Sequence, residues 1–359
     1  MSRAERSSSR RWRGAAAALA VLSLLAAACG SKPKAAGPAA SPGGSASQAP
    51  ANCPLTDTPP PGGVPNRPVL GIKVENAPAA RPQTGLDKAD IVYEEPVEGG
   101  VTRFLAIYQC QNAPRIEPVR SARVEDIDLL DQFPKPLFGN AGGSPPTEKA
   151  LAAAVAAGQL VNIDYNGPGY SRDPARGNDE HSLFTSTSAL YSRPDAKGGA
   201  VPVSIFPYAA SPPAGGPGAE VDVNFSQYSN VTWKWNASAN AYQRYYNGTT
   251  PSNESDGSIM STPNLIVQEV AVTMSWWVED SSGSHQPIAT LIGTGNALVC
   301  RQGTCVNGTW SRPSASQPTE YLDSSGAQVA LVPGQTWVEL AQESVTGPGP
   351  IPVAVVAWH

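Results

Sequence analysis

The chain has 359 residues, with 25 basic and 30 acidic side chains and a formal net charge of −5. Without residues 1–28, 20 basic side chains stand against 29 acidic ones, and so acidic a surface excludes a general affinity for nucleic acid. Charged residues make up only 15% of the chain, and its 34 glycines and 36 prolines predict many tight turns rather than long helices.

The amino-terminal segment has the pattern of an export signal. An arginine-rich head precedes an uncharged run over residues 14–28, and Cys29 follows three alanines. A basic head, a short apolar core and small residues before the cleavage point are typical of a secretory signal. The cysteine at this point favours a lipoprotein signal, so we predict a signal peptide at 1–28 and a palmitate-bearing Cys29. An ordinary signal peptide with a chance cysteine and a short membrane anchor are the alternatives, although spanning a bilayer takes about 20 residues.

Residues 29–52 are rich in Ala, Pro, Ser and Gly and have no large apolar residues to bury, which predicts a flexible tether. Ser9-Arg10-Arg11 is also compatible with a twin-arginine signal, so the export route stays open between that pathway and general secretion. Either route leads to the extracytoplasmic face of a bacterial cell membrane, with the lipid as the membrane contact.

Four further cysteines fit an oxidising location, because an even number outside the cytoplasm favours disulfides. Cys300 and Cys305 flank a turn that contains Gly303, which predicts a bridge across the mouth of a hairpin. Cys53 is then expected to pair with Cys110. A zinc site is the alternative, but zinc commonly takes histidine with cysteine and no histidine lies near these four. We expect no metal and no cofactor.

The first half of the folded region alternates strand-like and helix-like segments. Residues 69–74, 91–93 and 101–108 have strand patterns, whereas 126–133 and 147–159 have helical ones. This alternation predicts a mixed α/β layered domain over residues 53–206.

The second half reads almost entirely as strands after a Pro/Gly-rich stretch at 207–218. Short strand-like segments recur with turns between them, and Asn247-Gly248 is a strong hairpin signal. We therefore predict an antiparallel β domain, sandwich or barrel-like, over residues 219–345. The overall class expected is α+β.

Several segments resemble the YerB-like bacterial lipoproteins, a family whose domain of unknown function has distinct amino- and carboxyl-terminal parts. The longest matching segment is PQTGLDKADIVYEEPVEGGVTRFLAIY at 82–108. The others are PVRSAR (118–123), AGGS (141–144), SRD (171–173), HSLF (181–184), YQRYYNG (242–248), NLIVQEV (264–270), GTG (293–295) and PGQTWVEL (333–340). The chain departs from the family at Ser182, where asparagine is common. The resemblance implies a lipoprotein and a two-part architecture, but no activity.

Arginines recur in the loop-like segments of the first half, among few other charges. Their guanidinium groups offer rigid forks for carboxylate or phosphate. We therefore predict a site for an anionic envelope ligand or partner, formed by Glu98, Arg103, Arg120, Arg123, Arg172 and Asp173. The alternative is that these arginines pair with nearby carboxylates and only fix the loops.

A catalytic site is a second hypothesis. His181 could act as a general base, with Ser144 and Asp128 completing a nucleophilic set. The alternatives are a structural Gly-Gly-Ser turn before a helix and a hydrogen-bonded structural histidine.

Three classes of function follow from these patterns. The first is a cell-surface lipoprotein that binds an anionic ligand. The second is a hydrolase or transferase that acts on an envelope polymer, and the third is a scaffold for envelope proteins. The sequence does not identify a ligand, a substrate or an oligomeric state.

Overall fold

The structure is a computed structural model that describes residues 51–177 and 179–359. The helices in these residues are α1 (Glu125–Asp131), α2 (Pro145–Ala156) and α3 (Thr187–Tyr191). The strands of the first half are β1 (Leu70–Glu75), β2 (Ile91–Pro96), β3 (Thr102–Tyr108), β4 (Leu137–Asn140), β5 (Val161–Asp164), β6 (Ser171–Arg172) and β7 (Leu183–Phe184).

Those of the second half are β8 (Gly216–Pro217), β9 (Glu220–Ser226), β10 (Ser229–Asn236), β11 (Ala241–Tyr246), β12 (Thr250–Pro251), β13 (Ser261–Thr262), β14 (Asn264–Val278), β15 (His285–Ala289), β16 (Gly293–Arg301), β17 (Thr304–Arg312), β18 (Glu320–Leu322), β19 (Thr336–Thr346) and β20 (Val355–Trp358).

One large mixed sheet takes strands from both halves of the chain. Its order is β18-β17-β16-β14-β19-β2-β3-β1-β4-β5, with β15 paired to β14 and β8 to β17. Strand β19 lies between β14 and β2 and runs parallel to both. A second sheet has the order β12-β11-β10-β9-β20, with β13 paired to β11, and β6 pairs with β7.

The central strands β1, β2 and β3 of the large sheet are buried at successive positions, so both of their faces are covered. Leu105 and Ile107 of β3 belong to one hydrophobic cluster, together with residues of α1 and α2. Phe104 and Ala106 of the same strand belong to a second cluster, together with Trp233 of the six-stranded sheet. The side-chain period of two thus divides each strand between two cores.

Local signals place several elements as predicted. Helix α2 begins at Pro145, two residues before the predicted start, where proline is tolerated because the first N–H groups of a helix lack partners within it. Asn247 and Gly248 both have positive φ in the hairpin loop between β11 and β12, where the pairing of Tyr246 with Thr250 makes a three-residue loop. The apolar segment 329–332 also has the pattern of a strand, but in the described chain its one pairing is the isolated bridge of Leu331 with Tyr208.

Both predicted disulfides are present. Cys53 pairs with Cys110 across 57 residues, and Cys300 pairs with Cys305 across five. The second bridge joins directly opposed residues of β16 and β17 beside the turn at Gln302 and Gly303. The predicted signal peptide, the lipidation site Cys29 and nearly all of the predicted tether lie outside the described residues.

The layered α+β arrangement predicted from the sequence is not confirmed. The described chain is mostly β, with one large open mixed sheet and three α-helices. The parallel pairing of β19 means that the second half is not purely antiparallel. The division into domains at 53–206 and 219–345 stays a prediction, and the two segments share the large sheet. In the described part of the chain, no helix has the length and apolar character needed to cross a membrane.

A buried ion pair joins the two sheets. Arg244 of β11 donates from Nη2 to both carboxylate oxygens of Glu94 on β2, at 2.9 and 2.7 Å, and both side chains are fully buried. Thr102 and Asn76 also donate to Glu94, at 2.6 and 3.1 Å. The guanidinium lies 4.6 Å from the ring centre of Tyr246. Charge pairing and these additional hydrogen bonds together offset the cost of removing both ions from water.

We expect Arg244→Met to lower the free energy of unfolding by about 3–5 kcal/mol, because Glu94 would remain charged and buried without its partner. The double variant Glu94→Gln/Arg244→Met should recover part of that loss. The partly exposed pair Lys234–Glu220, at 3.2 Å, supplies the control, and Lys234→Met should cost less than about 1 kcal/mol. Urea unfolding followed by circular dichroism measures all three. A loss in Arg244→Met no greater than in Lys234→Met would contradict the assignment.

The two disulfides should differ in their contribution to stability, because the longer loop restricts the unfolded chain more. The chain-entropy relation gives about 4 kcal/mol for Cys53–Cys110 and about 2 kcal/mol for Cys300–Cys305. Replacing each pair by serine and measuring urea unfolding tests this order. A larger loss for the five-residue loop would contradict it.

Candidate functional site

Charged residues cluster at the carboxyl ends of the parallel strands β1, β4 and β5. We call this end of the sheet the carboxyl edge. In open α/β sheets, ligands bind at the carboxyl ends of the strands. Glu75 is the last residue of β1, and the antiparallel register pairs it with Arg103 near the start of β3. Glu95 of β2 pairs with Arg103 from the other side. The segment 118–123 crosses this edge and adds Arg120 and Arg123.

A set of paired arginines and glutamates forms the inner part of this edge. We call Glu75, Glu98, Arg103, Arg120, Arg123 and Glu279 the edge network. Arg123 donates from Nε to Glu98 at 2.9 Å, and its Nη1 lies 3.4 Å from Glu279. Arg103 donates to Glu98 at 3.3 Å, and its Nε lies 3.5 Å from Glu75.

Pairing between opposite charges offsets the cost of burying this network. Burial acts to raise the pKa of Glu75, but Arg103 and Arg120 outweigh it and lower that pKa to about 2. For Glu98, too, the adjacent arginines overcome the effect of burial and lower the pKa. Both carboxylates are therefore ionised at neutral pH. Arg103 and Arg123 are nearly inaccessible, at 5% and 2% relative exposure, so their charges are used inside the fold.

Arg120 is the member of the edge network that reaches solvent, with its side chain 21% exposed. Its Nε donates to Glu75, and its Nη2 lies 3.3 Å from the carboxylate of Glu180, which is 61% exposed. The Nε2 atom of His181 lies 3.9 Å from the same Glu180 carboxylate. The buried Nδ1 atom of His181 has no hydrogen-bond partner among the described residues.

Arg172 and Asp173 hold the neighbouring loop rather than joining the network. Arg172 donates to the carbonyl oxygen of Asp179 at 2.7 Å and to the hydroxyl of Ser182 at 3.1 Å. Asp173 accepts from the backbone N–H of Ala175 at 2.8 Å and pairs with Arg115. Ser182 also donates its hydroxyl to the carbonyl oxygen of Asp179 at 2.8 Å and thus helps to fix the loop that carries His181.

The structure does not join the three residues of the catalytic hypothesis. Ser144 precedes α2 and donates its hydroxyl to Thr147 at 3.2 Å. Asp128 lies in α1, where partial burial raises its pKa and its carbonyl oxygen accepts from Arg312. Within residues 51–177 and 179–359, His181 makes no hydrogen bond with Ser144 or Asp128. No group of three His, Cys, Asp or Glu side chains in those residues could hold a metal ion.

A second charged cluster lies beneath the edge network. Lys73 pairs with Glu95 and donates to Asp126 at 2.8 Å, and all three side chains are fully buried. Burial lowers the pKa of Lys73 despite the adjacent carboxyls. Burial also raises the pKa of Glu125 to about 8, and Gln286 donates to that carboxyl at 2.7 Å. Glu125 is therefore protonated at neutral pH.

The sequence interpretation named the arginines but missed Glu75 and Glu279 as their partners. Glu75 was detectable, because it directly follows the strand-like run at 69–74 and precedes a turn. Glu279 had no comparable signal. It lies 156 positions from Arg123, and only the pairing of β14 within the large sheet brings the two together.

Comparison with known proteins assigns the family. Residues 55–200 match the family described as "Protein of unknown function (DUF3048) N-terminal domain", and residues 221–338 match its "C-terminal domain". This chain belongs to the DUF3048 family. The resemblance expected from the sequence segments is thereby confirmed.

Two comparisons relate this DUF3048 chain to one protein of Bacillus subtilis (strain 168). It is 28% identical over 289 residues to "Putative lipoprotein YerB", covering 77% of this chain and 82% of that protein. The crystal structure of YerB from Bacillus subtilis superimposes with a TM-score of 0.68 at 23% identity, covering 85% of this chain and 99% of that one. The structural likeness establishes a shared fold.

The raised pKa of Glu125 predicts a pH-dependent stability. The unfolded carboxyl has an ordinary pKa of 4.5, so between pH 4.5 and 8 unfolding releases a proton and stability falls as the pH rises. Glu125→Gln removes this proton release and retains an acceptor for Gln286. Its unfolding free energy should therefore rise relative to wild type by roughly 1 kcal/mol per pH unit across that interval. Urea unfolding of both proteins at pH 5, 6 and 7 measures the difference in unfolding free energy. A difference that stays constant with pH would contradict the raised pKa of Glu125.

Proposed function

We propose that this DUF3048 protein is a lipid-anchored envelope protein that binds an anionic group at Arg120, with His181 beside it. The amino-terminal signal with Cys29 and the name of the Bacillus subtilis relative support the anchor. Of the arginines that the sequence analysis assigned to a ligand site, this proposal keeps only Arg120 as a ligand contact. Arg103 and Arg123 position the edge network, and Arg120 meets the ligand.

The observation that carries the proposal is the asymmetric pairing of Arg120. Its inner edge is fixed by Glu75, a buried carboxylate that also pairs with Arg103. Its outer edge meets only the exposed Glu180 among the described residues. A guanidinium fixed on one edge and facing solvent on the other is pre-organised for the paired oxygens of a carboxylate or phosphate.

Glu180 acts in this proposal as an internal occupant that the ligand displaces. An exposed ion pair contributes only about 0–1 kcal/mol, so little is lost when an external anion replaces it. His181 Nε2 lies 3.9 Å from the same oxygen of Glu180 that Arg120 contacts, so it would lie beside an anion that replaces this carboxylate. Binding rather than hydrolysis is proposed, because among the described residues His181 makes no hydrogen bond with Ser144 or Asp128.

The test uses the detergent-solubilised full chain and glycerol 3-phosphate as the probe, titrated by calorimetry at low ionic strength. Arg120→Met should weaken binding roughly tenfold or more, since a charge-assisted hydrogen bond contributes about 1.5–3 kcal/mol. Glu180→Gln should strengthen binding severalfold, because it removes the competing carboxylate. A structural role for Arg120 alone predicts no gain in that variant.

Glu343→Gln serves as the matched control, since it removes an exposed carboxylate on β19. Its affinity for the probe should equal that of wild type. Equal affinities in Arg120→Met and wild type would overturn the site. If Glu343→Gln raised the affinity for glycerol 3-phosphate as much as Glu180→Gln does, the change in net charge alone would explain the result, and the assignment of Glu180 would be wrong.

A further inference from the structure

A cavity of about 550 Å³ lies where the two halves of the chain meet. The turn at Gly99 and Gly100 forms one wall, and Tyr228, between β9 and β10, forms another. The turn between β14 and β15 and the segment before β20 complete it. The volume lies in the range of sites for small organic ligands.

The lining has no formal charge. Among the described residues that line this cavity, none is Asp, Glu, Lys or Arg. An ionic ligand would lose hydration here without gaining a counter-charge, which disfavours it. The floor includes Met274, which is 3% exposed, and the partly buried Ile351. The cavity therefore suits a neutral ligand with an apolar part.

An exposed aromatic ring stands at the wall. Tyr228 is 54% exposed, so its ring is accessible to a ligand, and an aromatic ring supplies a large apolar contact area with a polar hydroxyl. Gly100 has a φ of 75° and no side chain, and a Cβ built there would lie 3.6 Å from the Tyr228 ring. The ring thus lies close to the backbone of the first half and lines the cavity.

Two polar side chains of the lining, His285 and Ser284, have acceptor atoms for a ligand. His285 Nδ1 lies 2.8 Å from the carbonyl oxygen of Ser275, which can only accept, so Nδ1 carries the hydrogen and the neutral ring leaves Nε2 as an acceptor. Ser282 donates its hydroxyl to Asp280 at 2.6 Å, so Ser284, at 2.8 Å, donates to Ser282 and keeps its own lone pairs free. Hydroxyl and amide N–H donors on a ligand would satisfy both groups.

We infer that this cavity binds a neutral N-acetylated sugar. The tyrosine ring faces the apolar C–H side of a pyranose, the imidazole and Ser284 accept from its hydroxyl and amide groups, and Met274 and Ile351 receive the acetyl methyl. The inference does not depend on the proposed anion site. The two are structurally adjacent, because Arg123 binds both Glu98, which precedes the Gly99 turn, and Glu279, which precedes the Ser282 turn.

The full chain in detergent, titrated with tri-N-acetylchitotriose and with maltotriose, tests the inference. Wild type should bind the N-acetylated trisaccharide more tightly than maltotriose, which lacks the acetyl groups. Tyr228→Ala should weaken binding of the first sugar roughly fivefold, and Tyr228→Phe, which keeps the ring, should stay within about twofold of wild type. Equal affinity of Tyr228→Ala and wild type would overturn the inference.

Tyr165→Ala is the matched control, because Tyr165 is also an exposed tyrosine, at 41%. It should leave the affinity for tri-N-acetylchitotriose unchanged, and an equal loss there would contradict a specific site. Cross-tests separate this site from the anion site. Arg120→Met should retain sugar binding, and Tyr228→Ala should retain glycerol 3-phosphate binding. Loss of sugar binding in Arg120→Met would place the sugar at the other site and overturn this assignment.

Discussion

The buried contact between Arg244 and Glu94 is the constraint on which the arrangement of the two sheets depends. A guanidinium and a carboxylate without solvent are tolerated only if they meet, so β11 and β2 have one mutual position that satisfies both. Glu95, the next residue, points to the opposite face, where it meets Lys73. Two adjacent glutamates therefore serve two separate charged clusters, one on each side of the large sheet.

Because adjacent strand residues point to opposite faces of the large sheet, a chain with few charges can bury several charged side chains as pairs. Each buried cation on the network side has its carboxylate on a different element: Lys73 on β1 meets Asp126 on α1, and Arg123 meets Glu98 after β2. These contacts fix the loops at the carboxyl edge. A surface group such as Arg120 can then be held in one orientation by Glu75 while its outer edge stays accessible.

Local signals were sufficient for much of the fold. The positions of α2, of the hairpin loop at Asn247-Gly248 and of the Cys300–Cys305 bridge followed from residues close together in sequence, and Cys53 and Cys110 were then the two cysteines left to pair. The union of the two halves in one sheet did not, because nothing in the pattern of residues 336–346 indicates a parallel neighbour near residue 91. For the same reason, the sequence indicated the arginines of the candidate site but not which carboxylates pair with them. Glu279, for example, reaches Arg123 only through long-range strand pairing.

The central position of β19 has a consequence for how the protein folds. Strand β19 separates β14 from β2, although it comes nearly 250 residues after β2 begins. Until residues 336–346 arrive, β2 and β14 each present a row of unpaired backbone groups, the kind of edge that recruits other chains. Closing such a distant parallel pairing is slow. A chain that terminates shortly before Thr336 would therefore be prone to aggregation rather than shorter and functional. The polypeptide reaches its native topology only after its carboxyl-terminal part has been synthesised.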